Sequence, residues 1–589
     1  MKKKKFKNNF QLFVLLAPYL KSHKLKILAS IVLFPIASAS FAAQPYILQR
    51  AIDDSLKSFD IEKLYFYVAL MAAAVILNFI VQIIQFWLVN KIGQHAIADL
   101  RLDLFAHLQR LPMTYFDKTP VGRNISRLTS DLEQLSDSFA GGLILVVFDF
   151  LNIIAILCFM FFLNWKLSFA ITIFLIPVYL LSKHYQALFR EANFVARKKI
   201  SELNSFLQQN IIGIGVVHAL NSAQKSMKKF AKSNQEYFDA NDTSIKADSQ
   251  LSALIELISI IALLALIFIS SLILKNDFVT IGIVLAFIQY TQSLFEPIRN
   301  LSDRFTVIQS AFTAVERVDQ LLDEKEEIDK GHLNHVELNE KLFEAKNVNF
   351  RYSRPLDLKD EMNTSQVYTD WVLKDLDFVF ERGKKYALVG RTGSGKSTII
   401  KLLTRLYELD SGSLSFCDSP INDFTKEALR SNIAVIHQDT YIFEGSLREN
   451  IKLNRDEKIL DWDLVKPVLA LTNLKLDSVL SARATNISSG EAQVINFARA
   501  LITKPEIIVL DEATAKIDIK TELFLQNFLE DYLQKRTAII IAHRLETIKN
   551  CDEILFLKNG KVIEKGSHQE LLSIAGEYSS YHEILSLSS

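Results

Sequence analysis

The sequence predicts two domains of different class: an all-α membrane domain of six spanning helices, then an α/β domain built around a phosphate-binding glycine loop. Three observations carry this. Six hydrophobic stretches in the first half are each long enough to cross a bilayer's hydrocarbon core, which takes about 20 apolar residues. Gly390 to Thr398 reads G-R-T-G-S-G-K-S-T between an apolar run, Tyr386 to Val389, and a helix-like one, Ile399 to Leu403. Further apolar runs at Ile433 to Ile436, Ile507 to Leu510 and Ala538 to Ile541 have the length and composition of buried parallel strands.

At 589 residues the chain has room for more than one domain. Half the residues are apolar and the net charge is +1, which argues against nucleic acid or any other polyanion as a partner. Cys158, Cys417 and Cys551 have neither metal nor disulfide spacing and are expected to be buried reduced thiols.

The spans fall at 27–49, 64–90, 138–163, 166–183, 250–274 and 278–298. Met1 to Lys7 carries five lysines, and the small residues of Ala37 to Ala43 imitate a signal-peptide cleavage site. The polar lead-in runs on to Lys26, too long for a signal peptide's basic region, so the first span is expected to be retained. An even number of spans returns the chain to its starting side. The connections at Asp53 to Lys63, Asn164 to Lys166 and Lys275 to Asp277 carry little positive charge, whereas Lys91 to Arg127 and Arg190 to Lys232 are rich in Lys and Arg. The positive-inside rule then places the N-terminus and the α/β domain in the cytoplasm of a multi-pass protein, expected in a bacterial plasma membrane. The two basic connections keep helical periodicity, as in Leu100, Leu104, Leu108 and Leu111, so the spanning helices should extend well beyond the bilayer.

In the α/β domain the glycines of Gly390–Thr398 let backbone N–H groups turn inward on a phosphate, Lys396 reaches the β and γ phosphates, and Ser397 offers a hydroxyl to Mg2+. Asp511 and Glu512 end one apolar run: one carboxylate would serve the magnesium shell and the next would polarise the attacking water. Gln438 and His543 follow two other runs, so several strand ends converge on one phosphate.

With these motifs in this order, the second half resembles the ATPase domain of an ABC transporter, a P-loop (RecA-like) α/β fold with a helical subdomain. The resemblance implies ATP and Mg2+ as cofactors, with Tyr352 stacking on adenine and Gly390, Arg391, Thr392, Gly393, Ser394, Gly395, Lys396, Ser397 and Thr398 cradling the phosphates. It implies Ser397, Gln438 and Asp511 as metal ligands, Glu512 as the residue that orients water, His543 as the γ-phosphate sensor, and Asp518 among the nucleotide-contacting positions. The membrane half is similar too. Leu111 to Arg123, followed by Ser130-Asp131, is similar to the first intracellular coupling segment of ABC exporters; Asn204 to Asn221 resembles the second, and Phe295 to Arg299 matches the sixth span. The domains expected are a membrane domain at 1–325, a charged linker at 326–341, and an ATP-binding domain at 342–589.

Three departures from the family pattern stand out. Ser353 to Asp370 lengthens the interval between Tyr352 and Gly390, most simply as a solvated hairpin extension. Leu471 to Thr485 passes almost directly into the signature motif, without the usual glycine- and acid-containing connector, so the contact it makes with the coupling segments must be remade or lost. The signature itself reads Asn486-Ile-Ser-Ser-Gly-Glu491 where the family has Leu-Ser-Gly-Gly-Gln. In the family that segment presents helix N–H groups to the γ-phosphate held by the opposite subunit. Ser488 and Glu491, however, have capping-box spacing, so this carboxylate is expected to satisfy its own helix, although the variant could also be tolerated with Glu491 turned to solvent.

These features predict an ATP-hydrolysing exporter subunit moving a small molecule, drug, lipid or peptide outward by alternating access. A second ABC half-transporter chain would be its partner, as a heterodimer rather than a homodimer, because Ser488, Ser489, Gly490 and Glu491 form a weakened signature beside an intact catalytic set. An ATP-gated channel or regulatory subunit, or a flippase of lipid or oligosaccharide, stays open as an alternative. Asp149 and Glu256 lie inside spans, where an ionised carboxylate costs roughly 2.5–3.5 kcal/mol; at least one is expected to face the transport pathway.

Overall fold

The computed structural model describes residues 17–56, 60–138, 144–273, 280–299, 301–352, 370–437, 440–511, 519–542 and 545–588. The chain divides into two compact units, Met1–Ala106 with Ile125–Glu324, and His107–Asn124 with Lys325–Ser589.

The helices up to Leu322 are α1 (Lys24–Arg50), α2 (Ile61–Gln109), α3 (Met113–Lys118), α4 (Val121–Leu128), α5 (Ser130–Asp137), α6 (Ile144–Leu163), α7 (Trp165–Ile173), α8 (Leu175–Ile212), α9 (Ile214–Ala219), α10 (Ala223–Ile273), α11 (Ile281–Arg299) and α12 (Leu301–Leu322). Among the described residues, six helical stretches are long and apolar enough to span a membrane: Ala17–Ser55, Ile61–Gln109, Leu145–Leu163, Trp165–Ile212, Ala223–Leu272 and Ile281–Arg299. Each contains one of the six apolar stretches of the sequence, apart from a few residues at their ends. Three of them run for 48 to 50 residues. At 1.5 Å per residue that is about 70–75 Å, more than twice a hydrocarbon core, so these helices continue far outside any bilayer. Large apolar side chains such as Phe66, Phe79 and Trp87 on α2 and Phe268 on α10 point outward, as they do where lipid is the solvent. Cys158 on α6 is likewise exposed rather than buried as expected, because a thiol among apolar side chains loses nothing by facing lipid.

The fourth span is interrupted at Phe174, between α7 and α8. Pro177 explains the break: it lacks an N–H to offer Ile173, and its ring crowds that carbonyl. The interior of this unit gathers Ala42, Ile156, Leu251, Phe287 and Tyr290, and the Tyr290 hydroxyl donates to the Ala42 carbonyl at 2.6 Å. Gly282, at the start of α11, sits so close to α1 that a Cβ would lie 2.6 Å from the Gln49 carbonyl oxygen. Asp53 uses that proximity, accepting from Gln49 Nε2 at 2.6 Å, from the Gly282 N–H at 3.2 Å and from the Thr280 hydroxyl. Outside the spans, Lys199 on α8 reaches Glu236 on α10 at 2.7 Å, and the buried Asp131 on α5 is paired with Arg317 on α12 at 2.9 Å.

In the second unit a six-stranded sheet has the order β12-β11-β3-β10-β9-β6, where β3 is Lys385–Gly390, β6 Ile433–Ile436, β9 Ile507–Asp511, β10 Thr537–Ile541, β11 Glu553–Lys558 and β12 Lys561–Gly566. All neighbours are parallel except the edge pair β11 and β12. The unbroken apolar runs of the sequence follow from burial on both faces, with alternate residues serving different cores. Ala387, Val389, Ile508, Leu510, Ala538 and Ile540 join one core, whereas Tyr386, Leu388, Ile507, Val509, Ile539 and Ile541 join the other. The second core is closed by an antiparallel sheet of order β2-β1-β4-β5 (β1 Lys341–Phe350, β2 Leu373–Glu381, β4 Ser411–Phe416, β5 Ser419–Pro420) and by helices α13 (Lys396–Leu403) and α14 (Lys426–Ser431). The first core is covered by a helical subdomain that includes α15 (Leu447–Lys452), α16 (Trp462–Leu469) and α17 (Ser489–Leu501), with a short antiparallel pair of β7 (Gly445–Ser446) and β8 (Val479–Leu480).

Residues 326–341, expected to be a linker, lie along this unit. Leu333 bridges to Phe424, and Asp329 accepts the Lys426 N–H at 2.7 Å while pairing with Arg405 at 3.3 Å. Gly331 is required there because a Cβ would lie 2.1 Å from the Phe424 carbonyl oxygen.

Candidate functional site

Parallel register puts the C-terminal ends of four strands on one edge: Ile436 pairs with Leu510, Asp511 with Ile541, and Ile541 with Leu388, two residues before Gly390. In a parallel sheet this edge is where ligands bind. The glycine loop leaves β3 there. Gly393 and Gly395 take φ of +83° and +104°, values that L side chains rarely adopt, and α13 starts directly behind them.

Inside the loop the Lys396 ammonium is buried and donates to the carbonyls of Gly390 at 2.7 Å and Arg391 at 3.2 Å. The Ser394 hydroxyl is buried with no hydrogen-bond partner. A buried orphan donor beside a buried cation at a helix N-terminus fits a bound phosphate, which accepts from all three. Ser397 is exposed at the start of α13, and Asp511 stands half-buried at the end of β9. A hydroxyl and a carboxylate make an all-oxygen donor set suited to Mg2+, an ion that takes its other ligands from phosphate and water. Among the described residues no group of three or more His, Cys, Asp or Glu side chains could hold a metal without such help.

Gln438, Glu512, Asp518 and His543 lie outside the described residues, as do all but Asp370 of the extra residues from Ser353 to Asp370. The chain leading to Gln438 is anchored in a way the sequence did not suggest. Asn496 and Gln493 on α17 donate to the His437 carbonyl at 3.0 and 3.5 Å, and the Thr440 hydroxyl donates to Gln493 Oε1 at 2.7 Å. Both polar residues are buried. Their presence on the apolar face of the helix, three residues apart, was the available signal.

Tyr352 stands beside the loop, its hydroxyl 3.1 Å from Thr398 Oγ1 and its ring edge-on to Phe350 and Tyr407 at centroid distances of 4.9 and 5.3 Å. Lys401 Nζ lies 5.2 Å from the centroid of the same ring. Tyr407, also missed from the sequence, is buried and donates its hydroxyl to Asp117 of α3 at 2.6 Å. Burial and the Asp117 carboxylate together push that phenol well above its ordinary range. Segment 107–118 has a second anchor: His107 Nδ1 is 2.9 Å from Glu326, Arg110 pairs with Glu326 at 3.3 Å, and the Glu327 N–H donates to the Arg110 carbonyl at 2.8 Å. The His107 contact, with Arg110 beside it, holds the Glu326 carboxyl below the usual range.

The altered signature forms the capping box that its spacing predicted. The Glu491 carboxylate accepts from the Ser488 N–H and hydroxyl, both at 3.0 Å, while the Ser488 Oγ accepts from the Glu491 N–H at 3.1 Å. The carboxylate is thus fixed at the N-terminus of α17, with Ser489 exposed next to it. Asn486 supports the turn, accepting from the Ser481 N–H at 2.8 Å and donating to the Val479 carbonyl at 3.0 Å. In place of a connector, residues 476–478 hold the start of α15, the carbonyls of Ser478 and Leu476 accepting from Leu447 and Arg448 at 2.9 Å.

Of the two acids within spans, Glu256 is paired with Arg299 at 2.9 Å, both side chains about half exposed. Asp149 is half-buried on α6. Cys417 and Cys551 are buried, and burial raises both thiols, Cys551 to about 12.

Known proteins match this chain in both halves. Residues 27–298 match the family model of the ABC transporter transmembrane region, and residues 373–515 match the model described as ABC transporter. The uncharacterized ABC transporter ATP-binding protein YknV of Bacillus subtilis is 32% identical over 542 residues, covering 90% of this chain and 87% of its own. The probable multidrug resistance ABC transporter ATP-binding/permease protein YheH of the same organism is 30% identical, covering 89% and 77%. An ATP-dependent lipid A-core flippase of Desulfotalea psychrophila is 29% identical, covering 92% and 94%. With a six-helix membrane part and a nucleotide-binding part fused in one polypeptide, the chain belongs to the ABC transporter family, as an ATP-hydrolysing half-transporter of the exporter type.

Proposed function

We propose that this chain is the catalytically intact half of a heterodimeric exporter whose two ATP sites are unequal. Its cargo would be a small molecule, drug, lipid or peptide leaving the cytoplasm, and the names of the multidrug and flippase relatives support that range. The observation that carries the asymmetry is the Glu491 carboxylate on the N-cap of α17. A composite site takes its loop, Asp511 and Glu512 from one subunit and the signature from the other. A fixed carboxylate consumes the N–H and hydroxyl of Ser488 and repels a γ-phosphate, reversing what a helix N-terminus offers an anion. A homodimer would set every catalytic core against such a signature. A partner with a neutral signature completes one site, and the weak signature falls to the other.

In the complete site the Gly390–Thr398 loop, Lys396 and Ser394 bind the phosphates, and Tyr352 stacks on the base. Ser397, Asp511 and Gln438 would hold Mg2+, which when bound screens the phosphate charge. Glu512 would orient water, His543 would contact the γ-phosphate, and Asp518 would be among the positions that contact the nucleotide. The N-terminus and both ATP sites face the cytoplasm. The test is to co-express the chain with candidate half-transporters and follow ATP-dependent transport into inverted vesicles. Accumulation against a gradient supports an exporter. Only downhill flux, gated by ATP, would replace it with a channel or regulatory subunit.

A further inference from the structure

We infer that Tyr407 is a positioning residue for Tyr352, setting the base-stacking ring according to whether Asp117 of α3 holds the Tyr407 hydroxyl. This rests on the reading of Tyr352 as the residue that stacks on adenine. Three contacts carry it. Tyr407 spends its only donor on Asp117 at 2.6 Å, its ring meets the Tyr352 ring edge-on at 5.3 Å, and Tyr352 in turn bonds Thr398 of the phosphate loop at 3.1 Å. Lys401 sits over both tyrosine rings, at 5.2 and 5.6 Å from their centroids, so the pair shares one cation as well as one edge. Tyr407 is 5% exposed, with Phe350 packed edge-on at 5.7 Å, which leaves its ring little freedom to turn independently of its neighbours. Asp117 belongs to the short helix α3, which Pro112 caps just after the end of α2, and α2 is continuous with the second span. A shift of α3 reaches the base-stacking ring through two side-chain contacts, and by reciprocity base binding biases α3.

The experiment measures equilibrium binding of MgATP and of inorganic tripolyphosphate to the full-length chain in nanodiscs on ice. Tripolyphosphate uses the loop but has no base, so it separates ring positioning from damage to the loop. Tyr407→Phe keeps the ring and removes the donor; Asp117→Ala removes the acceptor. Each is expected to weaken ATP binding by about 3- to 10-fold, the worth of one hydrogen bond, and to leave tripolyphosphate unchanged. The double variant should lose no more than either single one, because both remove the same bond. Unchanged ATP affinity, equal losses for tripolyphosphate, or additive losses would each overturn the inference. Tyr352→Ala is the control for the reading beneath it: if ATP and tripolyphosphate respond alike to that change, Tyr352 does not stack on the base and the stacking role itself falls.

Discussion

Single residues divide the chemistry of this protein between charge, hydrogen bonding and backbone freedom. Lys396 is held by loop carbonyls and Ser394 carries an orphan hydroxyl, so the loop is polarised toward an anion. Glu512 follows Asp511 in the sequence and is proposed to orient water alone. Glu512→Gln should therefore reduce steady-state ATP hydrolysis of the assembled transporter by at least about 100-fold while ATP affinity is kept. A hydrolysis assay beside a binding isotherm checks this, and near-normal turnover would remove Glu512 from its role. The loop, Asp511, the signature and its capping box were all legible in the sequence, because each depends on residues within a few positions of one another. The partners of Tyr407, Gln493 and Arg405 were not, since Asp117, His437 and Asp329 are brought to them only by folding.

The helices and strands follow from patterns that sequence carries well: long apolar helices, buried parallel strands, capped helix starts. What the pattern leaves out is where they pause or attach. The break at Phe174 needed the clash of Pro177 with the preceding turn, and the charged stretch 326–341 binds the ATPase unit through a few pairs and through Leu333, Val336 and Leu338, which show no regular hydrophobic period. The capping box on α17 is the element on which the proposed inequality of the ATP sites rests. Glu491→Gln keeps an acceptor for the cap and so should change stability by less than about 0.5 kcal/mol, yet it removes the charge from the helix terminus. The chain expressed alone should then hydrolyse ATP about 3- to 10-fold faster than the parent chain. Unchanged or lower hydrolysis with a normal melting temperature would show that the carboxylate does not oppose the phosphate.

Two classes of fold joined in one chain tie a lipid-facing bundle to an ATPase, and dimerisation follows from the half-transporter architecture. Acids within the spans bear on cargo. Glu256 is paired with Arg299, and at least one of Glu256→Gln and Asp149→Asn should shift the substrate profile away from cations. Transport assays with a cationic and a neutral dye decide this, and an unchanged profile in both variants would place neither acid on the pathway. The proposed inequality of the two ATP sites would arise if this chain contributes an intact catalytic core and a weakened signature to its dimer. It is tested by the ATPase rate of this chain in membranes, alone and with each candidate half-transporter. Unequal sites require little hydrolysis alone and full, transport-coupled hydrolysis with one specific partner; robust transport-coupled hydrolysis by the chain alone would refute them.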